Sequence, residues 1–201
     1  MIAFASQRNK KPINEIGFFV LNCPSELHHF TFWPSSIIFS RYENDTEDQF
    51  RKMKIAVGSD MKTHLTDVVV DELKKMGHDV EVFGALIETP ALWSKVAVEV
   101  AERVAAGKFD QAVLFCWTGT GISLAANKVK GIRAALCHDA ETARGARKWN
   151  DANILAMSLR AVSEQVAKEI LEAWFSASPS TDPEDVASLE YLKEVEKRHG
   201  T

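Results

Sequence analysis

From Met53 onward, short unbroken apolar runs alternate with stretches in which apolar residues recur every three or four positions. Ile55-Ala56-Val57 is the first run, closed by Gly58-Ser59-Asp60. Leu65, Val68, Val69, Leu73 and Met76 then follow at helical spacing, with Gly77 as a C-terminal cap. Val80-Glu81-Val82-Phe83 predicts a second strand, and Val96, Val100 and Val104 one face of the next helix, closed by Gly107. Ala112 to Cys116 is a third, wholly apolar strand. The loop Trp117-Thr118-Gly119-Thr120-Gly121 leads from it into a short helix starting at Ile122. Arg133 to Cys137 reads as a fourth strand, and Asp139 N-caps a helix to Trp149. Ile154 to Met157 is a fifth strand, followed by a helix over Val162 to Phe175 and a last helix over Asp185 to Arg198. Strands that are apolar throughout and alternate with helices predict a parallel sheet covered on both faces. The expected architecture is a three-layer, doubly wound α/β fold of five strands, Rossmann-like, with an extra C-terminal helix. In the flavodoxin-like order 2-1-3-4-5, ligands bind where the strand order reverses, between strands 1 and 3.

Residues 1–52 break the pattern. They hold 9 of the 18 aromatic residues, six acidic and six basic side chains, and no clear period. The apolar stretch 13–40 is interrupted by Asn22, Pro24, Glu26, His28, His29 and Pro34, which excludes a spanning helix and a signal peptide. The segment reads as an appendage to a domain over 53–201. It is either sequence upstream of a start at Met53 or an arm packing its aromatics on a partner subunit.

Charge narrows the partners. With 24 Lys and Arg against 28 Asp and Glu, the net charge of −4 argues against nucleic-acid and membrane-surface binding. Cys23, Cys116 and Cys137 are widely spaced and lack CxxC pairing, which suits a reducing cytoplasm and predicts neither disulfides nor a metal site.

At the expected switch point, strand 1 ends in Asp60 and strand 3 in Cys116. Asp60 has two readings, an N-cap of the first helix or a functional carboxylate. Cys116 is a small buried hydrophobe or, beside a helix start that favours thiolate, a nucleophile or base. Gly119 and Gly121 make a tight turn whose free backbone N–H groups would hold an anion or a developing oxyanion. Cys137 and His138 are neighbours whose side chains point apart, so His138 belongs to the surface or rim. Asn150-Asp151-Ala152-Asn153 has turn chemistry as its default.

Cys116-Trp117-Thr118-Gly119-Thr120-Gly121-Ile122-Ser123, then Ala125-Ala126-Asn127-Lys128, Gly131-Ile132-Arg133-Ala134 and Asn150-Asp151-Ala152-Asn153 resemble the ribose-5-phosphate isomerase B / galactose-6-phosphate isomerase family. The segment Lys54 to Asp60 fits as well, and the resemblance covers about 53–175. It implies a homodimer with active sites at the subunit interface, and cofactor-free, metal-free aldose–ketose isomerisation through a cis-enediolate. On this resemblance Cys116 moves the proton between C1 and C2, Thr118 relays the hydroxyl proton, and the 117–121 loop holds the enediolate oxygens. Asp60 and Asn150 would bind sugar hydroxyls, with Gly119, Thr120, Gly121 and Arg160 also at the substrate.

Three positions depart from the family pattern: Met61 and Trp149 each replace a His, which bind phosphate and open the sugar ring respectively, and Trp117 replaces a Gly. The segment 180–185 is acidic where the family places phosphate-binding arginines, while Arg160 is retained; Arg144 and Arg147 are candidates to compensate. The expectation is an isomerase of a sugar or sugar phosphate other than ribose 5-phosphate, favouring open-chain substrates such as short tetrose derivatives. The alternatives are ribose-5-phosphate isomerase proper and a non-catalytic carbohydrate-binding protein on the same fold.

Overall fold

The computed structural model describes residues 51–87 and 90–200. The appendage expected over 1–52 therefore lies outside the described residues, its last two positions excepted. The elements run β1 Lys54–Ser59, α1 His64–Lys75, β2 Asp79–Gly84, α2 Trp93–Ala105, β3 Gln111–Cys116, α3 Thr120–Ala126, β4 Ala134–Leu136, α4 Ala140–Asn150, β5 Ile154–Ser158, α5 Glu164–Ser176 and α6 Pro183–His199. Each matches an element predicted from the apolar pattern, with ends displaced by a few residues.

The five strands form one parallel sheet in the order β2-β1-β3-β5-β4. Alternate residues along the strands face two separate cores. Val57, Phe115 and Met157 pack under α1, α4 and α5, with Trp174 fully buried among them. Ala56, Leu114 and Ala156 pack under α2 and α3, against Val100 and Ile122. The Trp174 indole N–H donates to Gln111 Oε1 at 2.6 Å, so the polar end of this large side chain is satisfied inside the core.

The order differs from the flavodoxin-like expectation at its end, where β5 is inserted between β3 and β4. The reason lies in the two strands. All five residues of β5 are buried, as an inner strand with two neighbours and two covered faces requires. β4 has only three residues, all half-buried, and suits an edge. On its outer side Asn127 pairs with the strand's first residue, Oδ1 accepting from the Ala134 N–H and Nδ2 donating to the Ala134 carbonyl, both at 2.8 Å. The reversal of strand order between β1 and β3 is as expected.

α6 buries none of its residues and leaves Val186, Tyr191 and Leu192 exposed. It is tied to the sheet's amino end by Glu196, whose Oε1 accepts from the Gly131 N–H at 3.1 Å. A groove of about 420 Å³ runs between them, lined by Arg133, Asn150, Leu189 and Leu192 among others. Among the described residues, no helix is long and apolar enough to cross a membrane.

Candidate active site

The register of the sheet brings the chemistry together. Ser59 on β1 is level with Phe115 on β3, and Cys116 is level with Ser158 on β5. Asp60, one residue past Ser59, therefore emerges beside Cys116 at the carboxyl edge, where adjacent strands lie roughly 4.8 Å apart.

Asp60 is not the helix cap. Thr63 caps α1 in a reciprocal box, its Oγ1 accepting from the Thr66 N–H while Thr66 Oγ1 accepts from the Thr63 N–H. The Asp60 carboxylate is thus not used as a cap, and among the described residues its Oδ1 is buried with no hydrogen-bond partner. Burial raises its pKa above the ordinary carboxylate value, opposed only by a hydrogen bond to its own backbone. A buried acceptor kept without a donor is a place where a hydroxyl group of a ligand gains most. Met61, next to it, is exposed on a turn closed by Ser59, whose Oγ accepts from the Met61 N–H and donates to its carbonyl.

Cys116 is the last residue of β3, buried at the carboxyl edge and 5% exposed. Beyond it the chain turns sharply through Gly119, whose φ of +76° is open to glycine and costly for other residues. A β-carbon there would stand 2.4 Å from Leu136 Cδ1 and 3.0 Å from the Met157 main chain. The turn is pinned to the end of β5: the Cys116 carbonyl accepts from the Leu159 N–H at 3.1 Å, and the Trp117 carbonyl from Ser158 Oγ at 2.9 Å and the Arg160 N–H at 3.1 Å. These bonds hold Arg160 at the same edge. Thr118 and Thr120 expose hydroxyls 2.7 Å apart, so one can pass a proton to the other. Trp117 projects into solvent, 54% exposed. Two residues missed by sequence reasoning complete the edge. Ser158 ties the loop down, and Trp93, at the start of α2, lays its six-membered ring over Gly121, 3.3 Å from where a β-carbon would be. A lone Trp opening a helix gives no sequence signal of such a role.

Trp149 and Asn150 lie elsewhere. α4 starts at the carboxyl edge and runs back along the sheet for 11 residues, so its end is roughly 16 Å away, at the amino edge. Within one chain they are not brought together with Cys116. The turn that carries them is firmly built. Asp151 caps α4 with φ +42°, and its carboxylate accepts from Arg133 Nη2 at 2.8 Å and Arg147 Nη1 at 3.2 Å. Arg133 Nε also donates to the carbonyls of Asn150 and Asp151. Asn153 holds Arg133 from the other side, accepting its N–H at 2.8 Å. Turn chemistry thus accounts for Asp151 and Asn153, while the exposed Asn150 side chain stays out of the network. Trp149 folds back over Gly145, where a β-carbon would meet its ring at 2.6 Å.

The two candidates for compensating charge sit in different surroundings. Arg147 is buried and committed to Asp151 and the Ala152 carbonyl, and Arg144 is paired with Glu141. Cys137 is fully buried and its thiol is pushed up to about 12, by burial first and by Asp139 second. His138 is exposed, as expected.

A doubly wound sheet with a thiol, a carboxylate and paired hydroxyls at its switch point carries groups able to accept and pass on a proton, and similarity to known proteins gives the class, the aldose–ketose isomerases. The chain belongs to the Ribose/Galactose Isomerase family, whose model matches residues 55–189. It is 32% identical over 148 residues to "Ribose-5-P isomerase B" of Listeria innocua, covering 73% of this chain and 99% of that protein. It is 38% identical over 128 residues to "D-erythrulose-4-phosphate isomerase" of Pectobacterium atrosepticum, covering 62% of this chain and 84% of that protein. The solved ribose-5-phosphate isomerase B of Clostridium thermocellum superposes with a TM-score of 0.69 at 38% identity, over 73% of this chain and 99% of that one.

Proposed function

We propose that this protein interconverts a short, open-chain aldose phosphate and its ketose by metal-free proton transfer, with Cys116 as the base. In the aldose direction the Cys116 thiolate takes the proton from C2. The electron pair forms the C1–C2 double bond of a cis-enediolate whose negative charge rests on the former carbonyl oxygen O1. Thr118 carries the O2 proton across to O1, and the thiol returns its proton to C1, giving the ketose. Asp60 accepts a sugar hydroxyl at its buried Oδ1, which fixes C1 and C2 over the sulfur. The observation that carries this reading is the sheet register, which puts Cys116 and Asp60 at the same carboxyl edge as the Thr118–Thr120 hydroxyl pair, with Asp60 Oδ1 buried and unpaired among the described residues.

Two features favour a four-carbon substrate. Trp149 offers an indole N–H, a donor that cannot exchange protons near neutrality and so cannot open a ring. A tetrose esterified on O4 has no hydroxyl with which to close a furanose, so it needs no ring opening. The Pectobacterium relative is named for such a sugar. Arg160, held at the carboxyl edge by its backbone bond to Trp117, is the cation for the terminal anion on this reading, while Arg147 is buried on Asp151.

The separation of Asn150 and Trp149 from Cys116 supports a homodimer in which the amino edge of one protomer completes the carboxyl edge of the other. The test is proton exchange from deuterated water into D-erythrose 4-phosphate, D-erythrulose 4-phosphate, ribose 5-phosphate, galactose 6-phosphate and the free sugars. Exchange should be fastest with the tetrose phosphates and nearly abolished by Cys116→Ala in a folded protein. Full exchange in that variant refutes the thiol base, and faster reaction with a cyclic sugar refutes the open-chain preference.

A further inference from the structure

We infer that Trp93 is a specificity-determining residue, the apolar wall that restricts this site to short sugars; this rests on the isomerase reading above. The described carboxyl edge is rimmed by large apolar side chains from three separate loops. Met61 follows β1, Trp93 opens α2 and Trp117 follows β3, and they are 42%, 44% and 54% exposed. Exposed apolar side chains scattered singly are ordinary, whereas several gathered at one edge mark a place where something binds. Trp93 is the one with a built seat. Its ring rests on Gly121 so closely that a β-carbon at position 121 would stand 3.3 Å from it, tight enough to push the ring away by a few tenths of an ångström. Gly121 itself is one residue beyond Thr120, whose hydroxyl meets that of Thr118. The indole therefore stands next to the loop that handles the hydroxyl protons.

The consequence for a substrate follows from hydrogen bonding. Each carbon beyond the reacting pair brings a hydroxyl that is fully solvated in water. Against an indole face or a thioether that hydroxyl finds no partner, and a site rejects a group whose hydrogen bonds it cannot replace. A four-carbon chain with a terminal anion directed at Arg160 brings few such groups; a pentose or hexose chain brings more and is excluded. The wall acts on chain length and leaves the proton-transfer machinery alone.

The experiment compares wild type, Trp93→Ala and Trp93→Phe on D-erythrose 4-phosphate, ribose 5-phosphate and galactose 6-phosphate, following both product formation and deuterium uptake. Trp93→Ala should raise kcat/KM for the five-carbon relative to the four-carbon phosphate by tenfold or more. Trp93→Phe, which keeps an aromatic but shallower wall, should fall between. The phenylalanine variant also keeps the test alive should the alanine variant fold poorly. An unchanged ratio in a folded Trp93→Phe and Trp93→Ala overturns the inference while leaving the isomerase reading intact. Absence of exchange in wild type with every sugar overturns the isomerase reading first, and this inference with it.

Discussion

Replacing Gly119 with alanine separates two costs that usually arrive together. Gly107 and Gly119 both have left-handed backbones, φ +69° and +76°. Around Gly107 nothing lies within 4 Å of where a β-carbon would be, so Gly107→Ala meets only the left-handed penalty, about 1–2 kcal/mol. At Gly119 the same atom would overlap Leu136 Cδ1 and press on the Met157 main chain. Leu136 belongs to β4 and Met157 to the inner strand β5, and the backbone cannot give way cheaply. Overpacking of this kind adds about 1–3 kcal/mol. Gly119→Ala should therefore cost roughly 2–5 kcal/mol in all, and each kcal/mol lowers Tm by about 2–4 °C in a domain of this size. Thermal and urea unfolding of the two variants give the difference directly. In deuterium exchange at a temperature where both are folded, Gly107→Ala should keep its activity. Gly119→Ala should lose about tenfold or more, because the turn that shifts carries Thr118. Equal Tm values for the two variants would refute the crowding, and full exchange by Gly119→Ala would refute the loop's part in the reaction.

Asp60→Asn should stabilise and inactivate at once. A carboxylate whose folded pKa is raised contributes stability below its unfolded value of 3.8 and loses it as pH rises through the folded value, so at pH 7 the penalty is complete and the amide relieves it. Melting curves at pH 7 and exchange assays should move in opposite directions, and a Tm below wild type would count against the desolvated carboxylate. Iodoacetamide at pH 8 should alkylate Cys116 and spare Cys137, whose thiol sits at about 12 in the fully buried core. Peptide mass spectrometry with and without substrate checks both the selectivity and the protection. A chain of residues 53–201 should fold, assemble and isomerise like the full chain. A truncated form that melts much earlier or falls to monomers by light scattering would make 1–52 structural.

What was legible in the sequence followed from periodicity. Continuous apolar runs such as Ala112 to Cys116 have to be inner strands, and Asp139 caps α4 as its side chain predicts. Strand order was legible only up to the switch between β1 and β3. Which of two late strands takes the edge depends on how each packs against β3, and Arg133 to Cys137 looked as long as Ile154 to Met157. Asp60 had two local readings that only the capping by Thr63 could separate. Arg144 and Arg147 looked alike in sequence, yet one is buried on Trp174 and Asp151 and the other is a surface pair. Spacing along a helix says which face a residue shares, while burial of that face is decided by elements far away in the chain.

The amide of Asn127 has a further consequence, in time and not in shape. It stands in for a missing neighbour strand, supplying one donor and one acceptor to Ala134. While that amide is in place, a further strand cannot pair with β4 at Ala134. That protection depends on a single chemically perishable group. Deamidation at Asn127 would keep the acceptor and remove the donor, leaving the Ala134 carbonyl to Ser123 Oγ at 3.3 Å and placing a negative charge beside the ladder. Ageing of this one amide would loosen the start of β4 at Ala134 while leaving the inner strands untouched.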